Sequence, residues 1–155
     1  KNKDVLGYDD LDFSNSYNRN LFFLDFGSGY TLKLEFTYYP FLEISKGEKY
    51  NNLSVSSEID IAVNKLFTIY QNPRIRDFTD LYELMKKYNY DIFDLISKAK
   101  VKFDWDINYI QLCKQMKKVS VHKDMPRVKD EYELRPVSDY FNMLINKLAD
   151  SEVQE

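Results

Sequence analysis

Thr31-Leu32-Lys33-Leu34-Glu35-Phe36-Thr37-Tyr38-Tyr39 alternates apolar and polar side chains along its length. Successive residues of a strand point to opposite faces, so Leu32, Leu34, Phe36 and Tyr38 share one face and Lys33, Glu35, Thr37 and Tyr39 the other. A period of two argues for a strand and against an amphipathic helix, and it turns the carboxylate of Glu35 away from the apolar layer. Directly before it, Gly27-Ser28-Gly29 separates this segment from the aromatic and apolar run Leu21–Phe26. That turn chemistry predicts an antiparallel hairpin.

Moving outward, Pro40 and the polar stretch from Ser45 to Asn52 break the pattern, and Leu53–Val55 is expected as a short further strand. The period then changes. Ser57 with Asp60 three residues on has the form of a capping box, followed by Ile61, Ala62, Leu66, Ile69 and Tyr70 at helical spacing. Gln71-Asn72-Pro73 is turn chemistry, after which Phe78, Leu81, Met85 and Tyr88 recur with helical period. A third helix is expected from about Asp91 to Ala99, and a fourth from Ile107, Ile110, Cys113 and Met116. Residues 118–135 read as a long polar connection, and Pro136 sits where a last helix bearing Val137, Phe141, Leu144 and Leu148 could start. The fold class is therefore α+β: a small, mostly antiparallel sheet followed by a C-terminal helical bundle. Residues 1–56 are expected to form the β-rich part and residues 57–155 the helical domain.

With 155 residues, 44% of them hydrophobic and 30% charged, the chain can bury a real core, and no apolar run approaches the length that spans a bilayer. No membrane partner is expected. The single cysteine, Cys113, excludes a disulfide framework and a cysteine-rich zinc site, so a cytoplasmic setting is expected. The first residue is Lys1 rather than methionine, which leaves room for a segment of the β-rich part upstream. The net charge of −3 is unevenly spread, with an acidic excess at both ends and a basic excess between. A basic middle has two readings, an anion-binding surface or a solvated helix face.

Four side chains in that middle invite chemistry. Asp77 and Asp80 share a face at the start of a helix, where unpaired backbone N–H groups already favour anions, and Arg76 stands four residues before Asp80. Taken alone this is an acidic first turn with an Arg76–Asp80 pair. Lys65 changes the weighing, because it interrupts an apolar helix segment and the short turn after that helix would bring its ammonium beside the two aspartates. His122, the single histidine, lies in the polar connection beside Lys123 and reads as solvent-exposed rather than as a general base. Lys114, Lys117, Lys118 and Lys123 form a candidate basic patch for an RNA.

These residues resemble the AbiEii-type nucleotidyltransferases, which include toxins of abortive-infection and toxin–antitoxin systems. The resemblance runs from about Leu21 to Phe103. It rests on the strand Leu32–Pro40, on Asp60-Ile61-Ala62-x-x-Lys65-Leu66 and on Arg76-Asp77-Phe78-x-Asp80-Leu81-Tyr82. It implies a transferase moving a nucleotide from an NTP to a hydroxyl of an RNA, such as tRNA, or of a protein, with a cognate antitoxin as partner. It also implies catalytic roles for Glu35, Lys65, Asp77 and Asp80, phosphate contacts from Lys65 and Arg76, and magnesium held by carboxylates of which Glu35 is one. The family's Gly-Ser and Asp-x-Asp elements have no clear counterpart. Gly27-Ser28 reads as part of a hairpin. Asp10-Leu11-Asp12 has the Asp-x-Asp form but lies closer before Glu35 than that family's spacing, so Asp10 and Asp12 are either metal ligands or an acidic turn leading into a strand. A catalytically inactive relative serving as a protein- or RNA-binding module is the alternative function, and an unrelated α+β domain would leave Lys65 far from Asp77 and Asp80.

Overall fold

The computed structural model describes residues 3–121 and 133–152; His122 and Lys123 lie outside them. The chain divides into two compact units, Lys1–Pro40 and Phe41–Glu155.

In the first unit a four-residue helix α1 (Lys3–Leu6) precedes strands β1 (Asp10–Ser16), β2 (Arg19–Asp25) and β3 (Thr31–Thr37), paired antiparallel in the order β1-β2-β3. The hairpin expected between residues 21 and 39 is present, with Leu24 opposite Leu32 and Phe22 opposite Leu34. Its turn needs glycine at position 27. The φ there is +70°, and a Cβ would lie 2.3 Å from a carboxylate oxygen of Asp9. Period two sorts the sheet as the sequence demands: Leu11, Phe22, Leu24, Leu34 and Phe36 line one face, where the Phe22 ring meets Phe13 at 4.8 Å and Phe36 at 5.8 Å.

The second unit opens with an extended segment and a minimal hairpin, β4 (Lys49–Tyr50) with β5 (Leu53–Ser54), and continues as helices α2 (Glu58–Gln71), α3 (Ile75–Tyr88), α4 (Ile92–Phe103), α5 (Tyr109–Met116) and α6 (Leu134–Glu152), with a 3-10 turn at Lys117–Ser120. The helix starts are written in the sequence. Ser57, Asp91 and Asn108 cap α2, α4 and α5 through side-chain oxygens that accept first-turn N–H groups. Asn89 and Asp104 end α3 and α4 in the left-handed conformation. Pro136 falls in the first turn of α6, where its missing N–H is not needed. The core is built from one stripe of each helix, including Leu66, Phe78, Leu81, Leu95, Leu112 and Phe141, all without exposure.

Helix α5 departs from its sequence pattern. Apolar residues at strict threes fall behind a 3.6-residue helix by about 60° per step. Ile110 is accordingly exposed, while Ile107 and Met116 are buried as expected and Leu112 and Gln115 join them.

Before α2, the segment 41–57 runs close against itself and the helix start. A Cβ on Gly47 would lie 1.8 Å from the Val55 carbonyl oxygen, so only glycine fits. The segment is tied to α2 by Asp60, whose carboxylate accepts the backbone N–H groups of Ile44 (2.9 Å) and Ser45 (3.0 Å) and the Ser57 hydroxyl (2.7 Å). The same carboxylate meets the Lys102 ammonium of α4 at 2.6 Å, both side chains being almost wholly buried.

Candidate functional site

Helices α2 and α3 pack against each other, joined by the turn at Asn72–Arg74. Lys65 leaves the inner flank of α2 and its Nζ lies 3.0 Å from Asp77 Oδ1 and 2.6 Å from Asp80 Oδ2. The two aspartates, three apart on α3, hold the ammonium from one side, as the helical spacing requires. An unrelated domain carrying these residues by chance has no reason to bring them together.

The environments of the three differ. The Asp77 side chain is 1% exposed, Lys65 23% and Asp80 49%. Asp77 gains further donors from Arg74: the backbone N–H and Nε each reach Oδ2 at 3.1 Å, and Nη2 approaches Oδ1 at 3.4 Å. Burial alone would push the Asp77 carboxyl up, but the guanidinium of Arg74 and the ammonium of Lys65 outweigh it, and the group is held below its ordinary value of 3.8. Asp60 behaves likewise: burial raises it, and Lys102, Ser57 and the amides of Ile44 and Ser45 reverse the sign. Both carboxylates thus bind protons less readily when folded. Their contribution to stability is in place above about pH 4 and is lost as the pH falls through the folded-state values. The urea midpoint is expected to be lower at pH 3 than at pH 7; an unchanged or higher midpoint would contradict this reading.

Arg76 is exposed, and its side chain makes no ion pair among the described residues. The Arg76–Asp80 pair that i,i+4 spacing suggests does not form, because Lys65 occupies Asp80. Arg74, which sequence reasoning passed over, is the arginine that engages Asp77. Its position just before the helix, three residues from the aspartate, was the available signal.

Glu35 lies in the sheet unit on the polar face of β3. Arg19 Nε meets it at 2.7 Å and Lys33 Nζ at 3.2 Å. The Lys33 ammonium, with Arg19 beside it, holds its carboxyl below the ordinary value. Asp10 and Asp12 are exposed residues of β1 on the same polar face. Asp12 is registered to Phe23, and Phe23 to Lys33, so two strand spacings, about 9.5 Å, separate its row from β3. Among the described residues no group of three or more histidine, cysteine, aspartate or glutamate side chains converges to hold a metal ion. Asp77 and Asp80 share an ammonium, and Glu35 is paired with two cations. In neither unit do these described residues converge as a set that would hold magnesium.

Lys114, Lys117 and Lys118 are exposed at the end of α5 and in the turn after it. No helix among the described residues is long and apolar enough to cross a membrane. Comparison with curated proteins and with solved structures gives no match. The model of the nucleotidyl transferase AbiEii toxin family, of type IV toxin–antitoxin systems, matches residues 4–149, almost the whole length, and the chain belongs to that family.

Proposed function

We propose that this chain takes a nucleoside triphosphate, with magnesium as part of the substrate, and transfers the nucleotide to a hydroxyl of an RNA, tRNA among them, or of a protein, as a toxin held in check by a cognate antitoxin. The observation that carries the reading is the Lys65 ammonium held between Asp77 and Asp80 on two packed helices. A structural ion pair needs neither a second carboxylate nor access to solvent, and Lys65 has both. Its partial exposure gives the ammonium a route to a phosphate chain, and Arg76 adds an exposed cation on the first turn of α3, where helix N–H groups favour an anion.

In this scheme the acceptor hydroxyl attacks the α-phosphorus and gives up its proton to solvent, a new P–O bond forms, and the bond to the departing pyrophosphate breaks. Lys65 and Arg76 offset charge on the phosphate oxygens, and Asp77 and Asp80 orient Lys65. Most of the acceleration then comes from positioning and charge stabilisation.

The test is transfer of label from α-labelled NTPs to RNA or protein, with and without magnesium. Lys65→Ala and Asp77→Ala are expected to reduce transfer by roughly 10²–10³-fold. Transfer unaffected by both substitutions would refute the scheme. Capture of a partner that ignores magnesium, with no transfer at all, would favour a binding module instead.

A further inference from the structure

Asp77 accepts four hydrogen bonds, one from Lys65 and three from Arg74. If Lys65 is to neutralise a phosphate chain, it has to loosen its hold on the aspartates. Asp80, half-exposed, is solvated by water when the ammonium leaves, and Lys65 itself has a route outward. Asp77 has neither option. A buried carboxylate stripped of its cation is strongly disfavoured, and without another donor it would pull Lys65 back.

We propose that Arg74 is a positioning residue: its guanidinium and backbone N–H keep Asp77 ionised and satisfied while Lys65 turns to the triphosphate, which makes the lysine exchangeable rather than locked. The inference rests on the reading of Lys65 as a phosphate contact. Its support is geometric. Of the groups in the cluster, the one that water cannot reach is the one on which Arg74 places all three bonds, gripping both carboxylate oxygens. The charged groups around Asp77 are Lys65 from α2, Arg74 from the turn and, across the ammonium, Asp80 on α3. The guanidinium is itself about half-exposed, so it holds the aspartate without needing a partner of its own.

Binding of inorganic tripolyphosphate to the full chain, followed by calorimetry in buffers of different ionisation enthalpy from pH 6 to 8, separates the possibilities. Wild type sets the reference, including the proton exchange of the tripolyphosphate itself, and proton counts of the variants are taken relative to it; Lys65→Gln is expected to bind at least ~10-fold more weakly. Arg74→Met is expected to lose about 10-fold at pH 8, to recover part of it at pH 6, and to take up a fraction of a proton more than wild type, on average below about 0.5 over that range, because Asp77 protonates in part as Lys65 departs. Arg74→Lys should fall between. Removing the buried charge as well, in Arg74→Met/Asp77→Asn, should restore affinity to within about threefold of wild type, which a merely structural role for Arg74 would not do.

Weak binding by Lys65→Gln together with proton-neutral, near-normal binding by Arg74→Met would overturn the role of Arg74 alone. Unchanged binding by Lys65→Gln would remove the phosphate-contact reading and this inference with it. Should Arg74→Met fail to fold, the double variant still decides: a tenfold loss there refutes the proposal.

Discussion

Asp60→Ala is expected to lower the unfolding free energy by about 3–5 kcal/mol, because it takes from the buried Lys102 ammonium the carboxylate that it meets at 2.6 Å. The Lys102 side chain is 2% exposed and its carboxylate partner 1%, so neither can turn to water when the other is removed. The loss also frees the amides of Ile44 and Ser45 and the Ser57 hydroxyl, and with them the segment that leads into α2. Asp77 is buried to the same degree, yet Asp77→Ala should cost less, about 1–2 kcal/mol, since its cations Lys65 and Arg74 remain partly exposed and rehydrate. Urea unfolding at pH 7 checks the order. Equal losses for the two alanine variants would show that partner exposure is not what decides. Replacing both buried charges at once, Asp60→Leu with Lys102→Met, should recover most of the deficit.

Phe141→Ala is the second large effect, about 3–5 kcal/mol. Phe141 has no exposure, meets the Phe78 ring edge-to-face at 5.0 Å, and sits on the stripe that fastens α6 to the rest of the bundle. The cavity left behind cannot close from one side, because Phe78 and Leu81 are fixed on α3 and Leu112 and Met116 on α5. Met143, two residues on and 52% exposed, provides the contrast, and its alanine variant should shift stability by no more than ~0.5 kcal/mol. A loss below about 1.5 kcal/mol for Phe141→Ala would mean that α6 is not docked as described. In a cycle with Phe78→Leu the two substitutions should couple, since ring pairs of this geometry contribute roughly 0.5–1.5 kcal/mol beyond their buried area.

What the sequence disclosed depends on how local the cause is. The hairpin of β2 and β3 was legible because alternation and a glycine turn act over a few residues, and so were the caps of α2, α4 and α5. Lys65 with Asp77 and Asp80 could be foreseen because only a short turn lies between the helices. The Asp60–Lys102 pair could not, since its members are 42 residues apart and each looks locally like an ordinary surface charge. Asp60 was read as a capping-box residue; Ser57 does accept its N–H, while its carboxylate takes the Ser57 hydroxyl rather than the backbone N–H, and nothing near it announces the lysine that arrives from α4. The choice of Arg74 over Arg76 was hidden for a different reason. Helical spacing pairs Arg76 with Asp80 on an isolated helix, and the competitor that takes Asp80 comes from another helix. On α5 only Ile110 was misplaced, because a period of three slips against a 3.6-residue helix and carries one of its positions out to solvent.

The buried pair at Asp60 has a consequence for the helix that carries it. Asp60 and Lys65 are five residues apart, about 7.5 Å along the axis and some 140° around it. A carboxylate fixed by Lys102 and two backbone amides therefore sets the rotational phase of α2, as a key sets a shaft, and a helix so keyed delivers Lys65 at one azimuth. A roll of 30° at Asp60 would swing an ammonium about 6 Å from the axis through about 3 Å, the whole length of its contact with Asp77. The accuracy with which the lysine is aimed thus originates in a bond formed elsewhere on the helix, by residues outside the Lys65–Asp77–Asp80 cluster.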